Sequence, residues 1–562
     1  MSITSASRIT RTIEARKSRH AHTVFRAALF AVFLIVGLSS CDPTGGRADL
    51  VVLNGAEPES IDPAVLTGQL ETRVAYALFE GLLRFDRFGK PAPGVAESWD
   101  ISEDGKVYLF HLRANARWSD GAPVTANDFV QSWKRVLIPG TACEYAYLLY
   151  RIKNGQPFNE GTLNDFNEVG VKAIDDRTLR VELEAPTPYF LYLCAFATLS
   201  PVPIQAVEKY GDDWTKPGKL VNNGAFLLKE WRLNYRMRLE KNPDFWDKDN
   251  VRLNTLDLLP IDNSITAYNF YASKVADLIL DKGLTPPSLI PELKVRPDFH
   301  ASPFLGDYFI RFNVTRKQFA DARVRQAFSM AIDKERIVKK ITQAGEPPAY
   351  SFTPPGAGEN YDPPKIFGHN PERARQLLAD AGFPGGKGFP TVTYLYDNKK
   401  LNEDIAVEIQ SMLAETLGVH VELQKQEWKV YLNSQSRLDY DFSRSSWVGD
   451  YNDPNTFLDC FVSGGGNNRT GWSNPEYDQL VEAASREADM QKRLSIFRQA
   501  EDILLNRGTP ICPLYFYVGI QIYDNDKFGG IEGNLLDEHP FREMYRKKGA
   551  RSQEPGVRSP SS

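Results

Sequence analysis

The N-terminal apolar run, Ala27 to Leu38, is too short to cross a bilayer, and no later stretch is longer. A membrane-crossing helix needs about 20 apolar residues. The run follows Arg8, Arg11, Arg16, Lys17, Arg19 and Arg26, which is the order of an export signal: a charged segment, then a short apolar one. A chain with that leader must fold outside the cytoplasm as a water-facing body, not as a bundle in the membrane.

Leu38-Ser39-Ser40-Cys41 resembles a bacterial lipobox, which predicts a lipoprotein signal peptide over 1–40 and a lipid-modified Cys41 as the first mature residue. An ordinary secretory signal with an incidental cysteine is the alternative. Lipidation would tether a soluble body to a cell-envelope membrane, since stable anchoring takes more than one acyl chain. Removing the leader leaves about 520 residues, more than one core supports, which predicts two or three domains. Aromatic residues make up 12% and hydrophobic residues 42%, ample material for burial. The net charge of −5 is spread among mixed signs and offers no footprint for nucleic acid.

Cys143, Cys194, Cys460 and Cys512 are far apart and contain no C-x-x-C pair, so they are read either as disulfides of open pairing or as buried thiols. His111, His300, His369, His420 and His539 are equally scattered. No zinc spacing, G-x-S-x-G, H-E-x-x-H or P-loop is present, and the expectation is a non-enzyme without a cofactor.

Leu50 to Leu53 reads as a strand, Thr72 to Leu83 as a helix, and Lys106 to Leu112 as a strand covered on both faces. Trp118-Ser119-Asp120-Gly121 is a turn, and Thr125 with Asp128 forms a capping box for a helix burying Phe129, Val130 and Trp133. Arg323 to Ile341 carries one helical stripe, Asn402 to Leu417 is a helix stopped by Gly418, and Asn474 with Pro475 starts another. Arg493 to Asn506 is helical too. Such alternation predicts an α/β fold with mixed sheets covered by helices. The segment 547–562, rich in Gly, Ser, Pro and Arg, reads as a disordered tail.

One short run is chemically pointed. In Trp447-Val448-Gly449-Asp450-Tyr451-Asn452-Asp453-Pro454 a carboxylate is framed by aromatics, which suits a counter-ion for a bound cation; an Asx-turn acid is the alternative. Asp453, before Pro454, reads as a helix N-cap. The run resembles the segment with which bacterial oligopeptide-binding proteins hold the α-ammonium of a peptide. Denser similarity to the family 5 extracellular solute-binding proteins runs through Pro91 to Trp99, Phe110-His111-Leu112-Arg113, Trp118 to Ala126, Gly170 to Asp176, Ser200-Pro201-Val202-Pro203, Asn222 to Phe226 and Gln426-Glu427-Trp428-Lys429.

The resemblance implies a periplasmic-binding-protein-like (type II) clamp of three domains closing on a ligand in an interdomain cleft. Domain I would comprise 48–79, 204–305 and 519–546, domain II 80–203, and domain III 306–518. It implies a monomeric receptor of an ABC importer that takes short peptides and hands them to permease subunits, touching the membrane only through its lipid. A family 5 receptor for a metal complex, haem or sugar, or a sensor of peptides or murein fragments, is the runner-up.

By the same resemblance Asp450 would take the peptide amine and Trp447, Val448 and Gly449 the peptide backbone. Arg444 would meet the carboxylate of a short peptide, Trp428 and Trp447 would line side-chain pockets, and Tyr145, Tyr517, Phe304 and Asn223 would border the cleft. Thr67 and Arg311 stand where relatives have glutamates, which predicts a shift away from lysine-containing peptides if both face the cleft. Gly306 and Val448 replace a cysteine pair of some relatives. Asn402 and Gln435 stand where a histidine and an arginine serve longer peptides.

Overall fold

A computed structural model describes residues 46–358 and 360–548. The leader with Cys41, and the tail beyond Lys548, lie outside the described residues. The body from Asp49 onward is one compact unit, built on a ten-stranded mixed sheet. No helix among the described residues is long and apolar enough to cross a membrane.

In spatial order the sheet runs Val421–Gln426, Val392–Asp397, Phe442–Val448, Phe299–Phe312, Ile511–Tyr523, Leu278–Ile279, Leu50–Leu53, Thr255–Leu259, Arg236–Lys241 and Phe226–Arg232. Leu50–Leu53 is wholly buried and pairs in parallel with strands on both sides, which accounts for its unbroken apolar sequence. Two long strands, Phe299–Phe312 and Ile511–Tyr523, run antiparallel through the middle and tie the two halves of the sheet together. Their register slips between Pro303 and Asp307. Proline has no N–H to give the ladder, so Pro303 offers no backbone donor at this slip; a second slip falls between Tyr308 and Phe309.

A separate antiparallel sheet is ordered Ala96–Ile101, Val107–Leu112, Thr178–Glu182, Val171–Asp175. Tyr108, Phe110 and Leu112 are buried, whereas Val107, Leu109 and His111 on the other face are half-exposed, so the strand is covered fully on one side only. The helix Ala126–Leu137 packs here with Phe129 and Trp133 fully buried; the Asp128 carboxylate accepts from the Thr125 N–H at 2.7 Å, closing the capping box.

Apolar packing falls into distinct groups. One gathers Leu82 through Leu199 with Tyr451. A second joins Leu50–Phe79 to residues of 197–280 and 523–544. Two more, from Leu305 to Tyr515, flank the strands Phe299–Phe312 and Ile511–Tyr523.

Lys400–Leu417 buries Ile405, Ala406, Ile409, Met412, Leu413 and Leu417 on one stripe and ends at Gly418, whose φ of 68° is cheap only for glycine. Asn474 caps Pro475–Arg486 by accepting from the Glu476 and Tyr477 N–H groups. The helix expected over Thr72 to Leu83 spans Gln69–Leu78 and ends at Phe79, which is extended. The stripe from Arg323 to Ile341 is split: Ala322–Ala331 stops at Ile332, and Asp333 caps a new helix, Lys334–Ile337, by accepting from the Arg336 N–H. Competition by the aspartate side chain for a backbone donor breaks a helix that the apolar spacing would continue. Cys143, Cys194, Cys460 and Cys512 are all free thiols, the last three buried.

Candidate ligand-binding cleft

Asp450 stands just past the end of the strand Phe442–Val448. The turn beneath it is fixed by two bonds: the Gly449 N–H donates to the Leu305 carbonyl at 2.8 Å, and the Asp450 N–H to Thr456 Oγ1 at 3.2 Å. Gly449 is required by close packing, because a Cβ there would lie 2.7 Å from Leu305 Cδ2 and 2.9 Å from Thr456 Cγ2.

The Asp450 carboxylate accepts one hydrogen bond, from the Tyr147 hydroxyl at 3.0 Å, and among the described residues it has no basic partner. Burial pushes its pKa up to about 6, against which the Tyr147 bond favours the ionised form. An acid so placed is short of positive charge. A ligand cation would supply what the protein withholds.

Asp450 borders a cavity of about 450 Å³ lined also by Thr67, Tyr145, Phe304, Trp447, Val448 and Gly449. That volume is within the range of about 300–1,000 Å³ typical of small-ligand sites. No basic side chain is among the described residues lining it. A smaller cavity of about 180 Å³ adjoins the other side of Asp450, bordered by Tyr147, Arg151, Tyr189 and Trp447. Phe304 is shared with a third cavity, of about 430 Å³, which Tyr517 lines; the two rings stack at 6.3 Å.

The strand beside the cavity has a free edge. Phe442–Val448 pairs along its length with Gly306–Phe312, but on its other side only Phe442 and Ser443 meet a strand, at Tyr394 and Leu395. The Arg444 carbonyl is taken by the Tyr431 hydroxyl at 2.6 Å and Gln435 Nε2 at 2.8 Å. From Ser445 to Val448 no second strand of the described residues covers the backbone, and Val448 is 44% exposed. An extended chain can pair there.

Seven of the twelve residues singled out in the sequence thus border one cavity, with Tyr517 in the adjoining one. The other four lie elsewhere. Arg311 is buried, donates to Ser445 Oγ at 2.8 Å and the Asn467 carbonyl at 2.5 Å, and faces the Phe309 and Phe461 rings, so it brings no positive charge to the cavity. The expected bias against lysine peptides loses that support. Asn223 is buried and clamps the Glu80 backbone through two bonds, at 2.9 and 3.0 Å. Arg444 is buried beside Asp397 at 3.5 Å, under the Tyr308 ring. Trp428 is exposed at the start of Trp428–Ser436 and stacks on Tyr431.

Asn402 and Gln435 are buried as well. They donate to Asp397 Oδ1 at 2.5 Å and Ser443 Oγ at 2.9 Å, and are spent on the scaffold. Asp453 accepts from the Asn455 N–H at 2.9 Å and forms a buried bidentate pair with Arg493, at 2.6 and 2.9 Å. Tyr147, Ser446, Tyr76 and Glu538 also border the two cavities at Asp450 and were not anticipated; nothing in their local sequence marks them. Among the described residues no cluster of three His, Cys, Asp or Glu side chains is arranged as metal ligands.

Comparison with known proteins gives one family. Residues 90–469 match the family model for bacterial extracellular solute-binding proteins, family 5. The chain is 40% identical over 509 residues to the periplasmic oligopeptide-binding protein OppA of Salmonella typhimurium, covering 89% of this chain and 92% of that one. Among solved structures it is similar to the Escherichia coli murein tripeptide binding protein MppA, with a TM-score of 0.75 and 36% identity over 90% of this chain and 99% of that one. It is also similar to Haemophilus influenzae OppA in complex with the peptide RPPGFSPFR, with a TM-score of 0.74 and 32% identity over 89% and 99% of the two chains.

Proposed function

The chain belongs to the family 5 bacterial extracellular solute-binding proteins, and from that membership we propose that it is the peptide receptor of an ABC importer. It binds short peptides by their backbone and their α-ammonium group and delivers them to a membrane permease. The observation that carries this reading is the Asp450 carboxylate: without a basic partner among the described residues, half-buried, and set at the end of an unpaired strand edge. A receptor for many sequences must grip what every peptide shares, and those features are its termini and its amides.

We read the body as three lobes that close around the cleft. The separate apolar groups support that division, and the register slip at Pro303–Asp307 in the strand crossing between them suits a hinge. Ligand would drive closure by binding the closed arrangement better than the open one. A lipid on Cys41 would hold the receptor near its permease, as a monomer that leaves its ligand chemically intact. Mass spectrometry of the mature N-terminus tests the anchor.

Native mass spectrometry of the purified protein tests the function directly. A co-purifying population of short peptides, displaced by added peptide and recovered uncleaved, is the expected result. A single metal complex, haem or sugar in their place would overturn it.

A further inference from the structure

The cavity at Asp450 holds a second acid that the peptide-binding scheme leaves unused. Glu538 lines the same 450 Å³ space, reaching it from the segment that follows the strand Ile511–Tyr523. Its backbone is pinned at both ends by one side chain, since its N–H donates to Asn534 Oδ1 at 3.2 Å and its carbonyl accepts from Asn534 Nδ2 at 2.7 Å. The root of the side chain is therefore fixed. Its carboxylate has no hydrogen-bond or ion-pair partner among the described residues.

The charged and titratable groups facing Glu538 are Arg73 on the helix Gln69–Leu78, Asp537 beside it, and Tyr76 one turn on from Arg73. Arg73 is buried; its Nη1 donates to Asn54 Oδ1 at 3.0 Å, and its Nη2 has no hydrogen-bond partner among the described residues. Burial pushes the Glu538 pKa up to about 8; Arg73 opposes the rise and Asp537 adds to it. Between the two acids the lining is neutral and mostly apolar, with Phe85, Tyr145, Phe196, Phe304 and Leu536. Such walls suit the methylene stem of a long cationic side chain while its head seeks an anion.

We propose that Glu538 makes this cavity a pocket for the lysine or arginine side chain of the first peptide residue, whose α-ammonium is held by Asp450. The inference rests on the peptide-receptor reading and adds the substrate class. A ligand presenting two positive charges one side chain apart meets two acids, Asp450 and Glu538, in a cavity in which no described lining residue is basic. The first residue is the one whose side chain branches next to the group that Asp450 takes.

The test compares Lys-Ala-Ala with norleucine-Ala-Ala on the full chain freed of bound peptide, at pH 7, by titration calorimetry. The two ligands differ only in the terminal cation, so the comparison itself needs no variant. The lysine peptide is expected to bind at least tenfold more tightly and to release close to one proton more, since Glu538 must ionise to receive it. In Glu538→Gln, checked by thermal melting for folding, both differences should vanish. Equal affinity for the two peptides on the unaltered protein overturns the inference and leaves the receptor reading standing. If neither peptide binds, the receptor reading falls and this inference with it.

Discussion

The Tyr147 hydroxyl donates to Asp450 across 303 residues of sequence, joining the apolar group built on residues 82–199 to the end of the strand Phe442–Val448. That one bond of 3.0 Å orients the carboxylate while leaving its charge uncompensated. A second link lies beside it: Tyr189 stacks on Tyr451 at 4.3 Å and 9°.

Asp450→Ala should weaken peptide binding about a hundredfold or more, since removing one partner of a buried charge pair costs about 3–5 kcal/mol and each 1.4 kcal/mol is tenfold. N-acetylation of the peptide should cost the unaltered protein a similar factor. The two losses should not add when combined, because both delete the same bond. Calorimetry on the four combinations measures this, and full additivity would dissociate Asp450 from the amine.

The affinity should follow pH as a bell. Below about pH 6 the Asp450 carboxyl of the free protein holds a proton that the incoming ammonium must expel, so affinity falls as pH drops, by up to tenfold per unit. Above about pH 8 the peptide amine itself loses its charge, its usual pKa being about 7.7–8.0. Asp450→Asn should remove the acidic limb and leave weak, flat binding there. A titration series from pH 4.5 to 9 reads both limbs.

The same pKa has a cost in folding. The carboxyl titrates near 3.9 when unfolded and about 6 when folded, so the folded state holds its proton more tightly and loses stability as pH rises through that window. Asp450→Asn should raise stability at pH 7 by on the order of 1–3 kcal/mol, at 1.36 kcal/mol per pKa unit less the lost Tyr147 bond. No gain is expected at pH 3.5. Thermal melts of both proteins at the two pH values decide it.

Much of this was legible along the chain because it is local. The caps at Asp128 and Asn474, the stop at Gly418 and the aromatic frame of Asp450 each depend on residues a few positions apart. What decides whether a polar residue reaches the cavity is not local. Arg311 lies on the same strand as Phe304, yet its guanidinium is claimed by Ser445 and Asn467, and Asn223 by Glu80. Tyr147 and Glu538 enter the cleft only because the chain brings distant segments together, so no pattern around either could mark it.

Asp453 makes the sharpest contrast with Asp450, three positions earlier in the chain. Its carboxylate is buried against Arg493 with two bonds, at 2.6 and 2.9 Å, and the arginine also donates to the Ala484 carbonyl at 3.0 Å. Arg493→Met should destabilise the protein by about 3–5 kcal/mol by stranding a buried anion, with peptide affinity of the folded fraction little changed. Adding Asp453→Asn should recover much of the loss, because the stranded charge is then gone. Denaturant melts of the single and double variants measure both steps; equal damage in the two would show that packing, not charge, holds Arg493 in place.

Gly306 and Val448 are register partners on adjacent antiparallel strands, and a Cβ built on Gly306 would lie 3.2 Å from Val448 Cγ2. As register partners in contact, the two positions are candidates for a bridge, which needs Cβ atoms about 3.5–4.5 Å apart. The same Cβ would lie 2.8 Å from Tyr517 Cδ2, so the tyrosine ring must shift to admit the bridge. Gly306→Cys with Val448→Cys should form a disulfide under oxidising conditions, seen as a two-hydrogen mass loss. It closes a loop of more than a hundred residues, which on chain entropy stabilises by about 4–5 kcal/mol before strain is subtracted. The oxidised protein should melt above its reduced form, and bind peptides with altered side-chain preference because Tyr517 has moved in the adjoining cavity. Failure of the two thiols to join would contradict the pairing of these strands at the cleft.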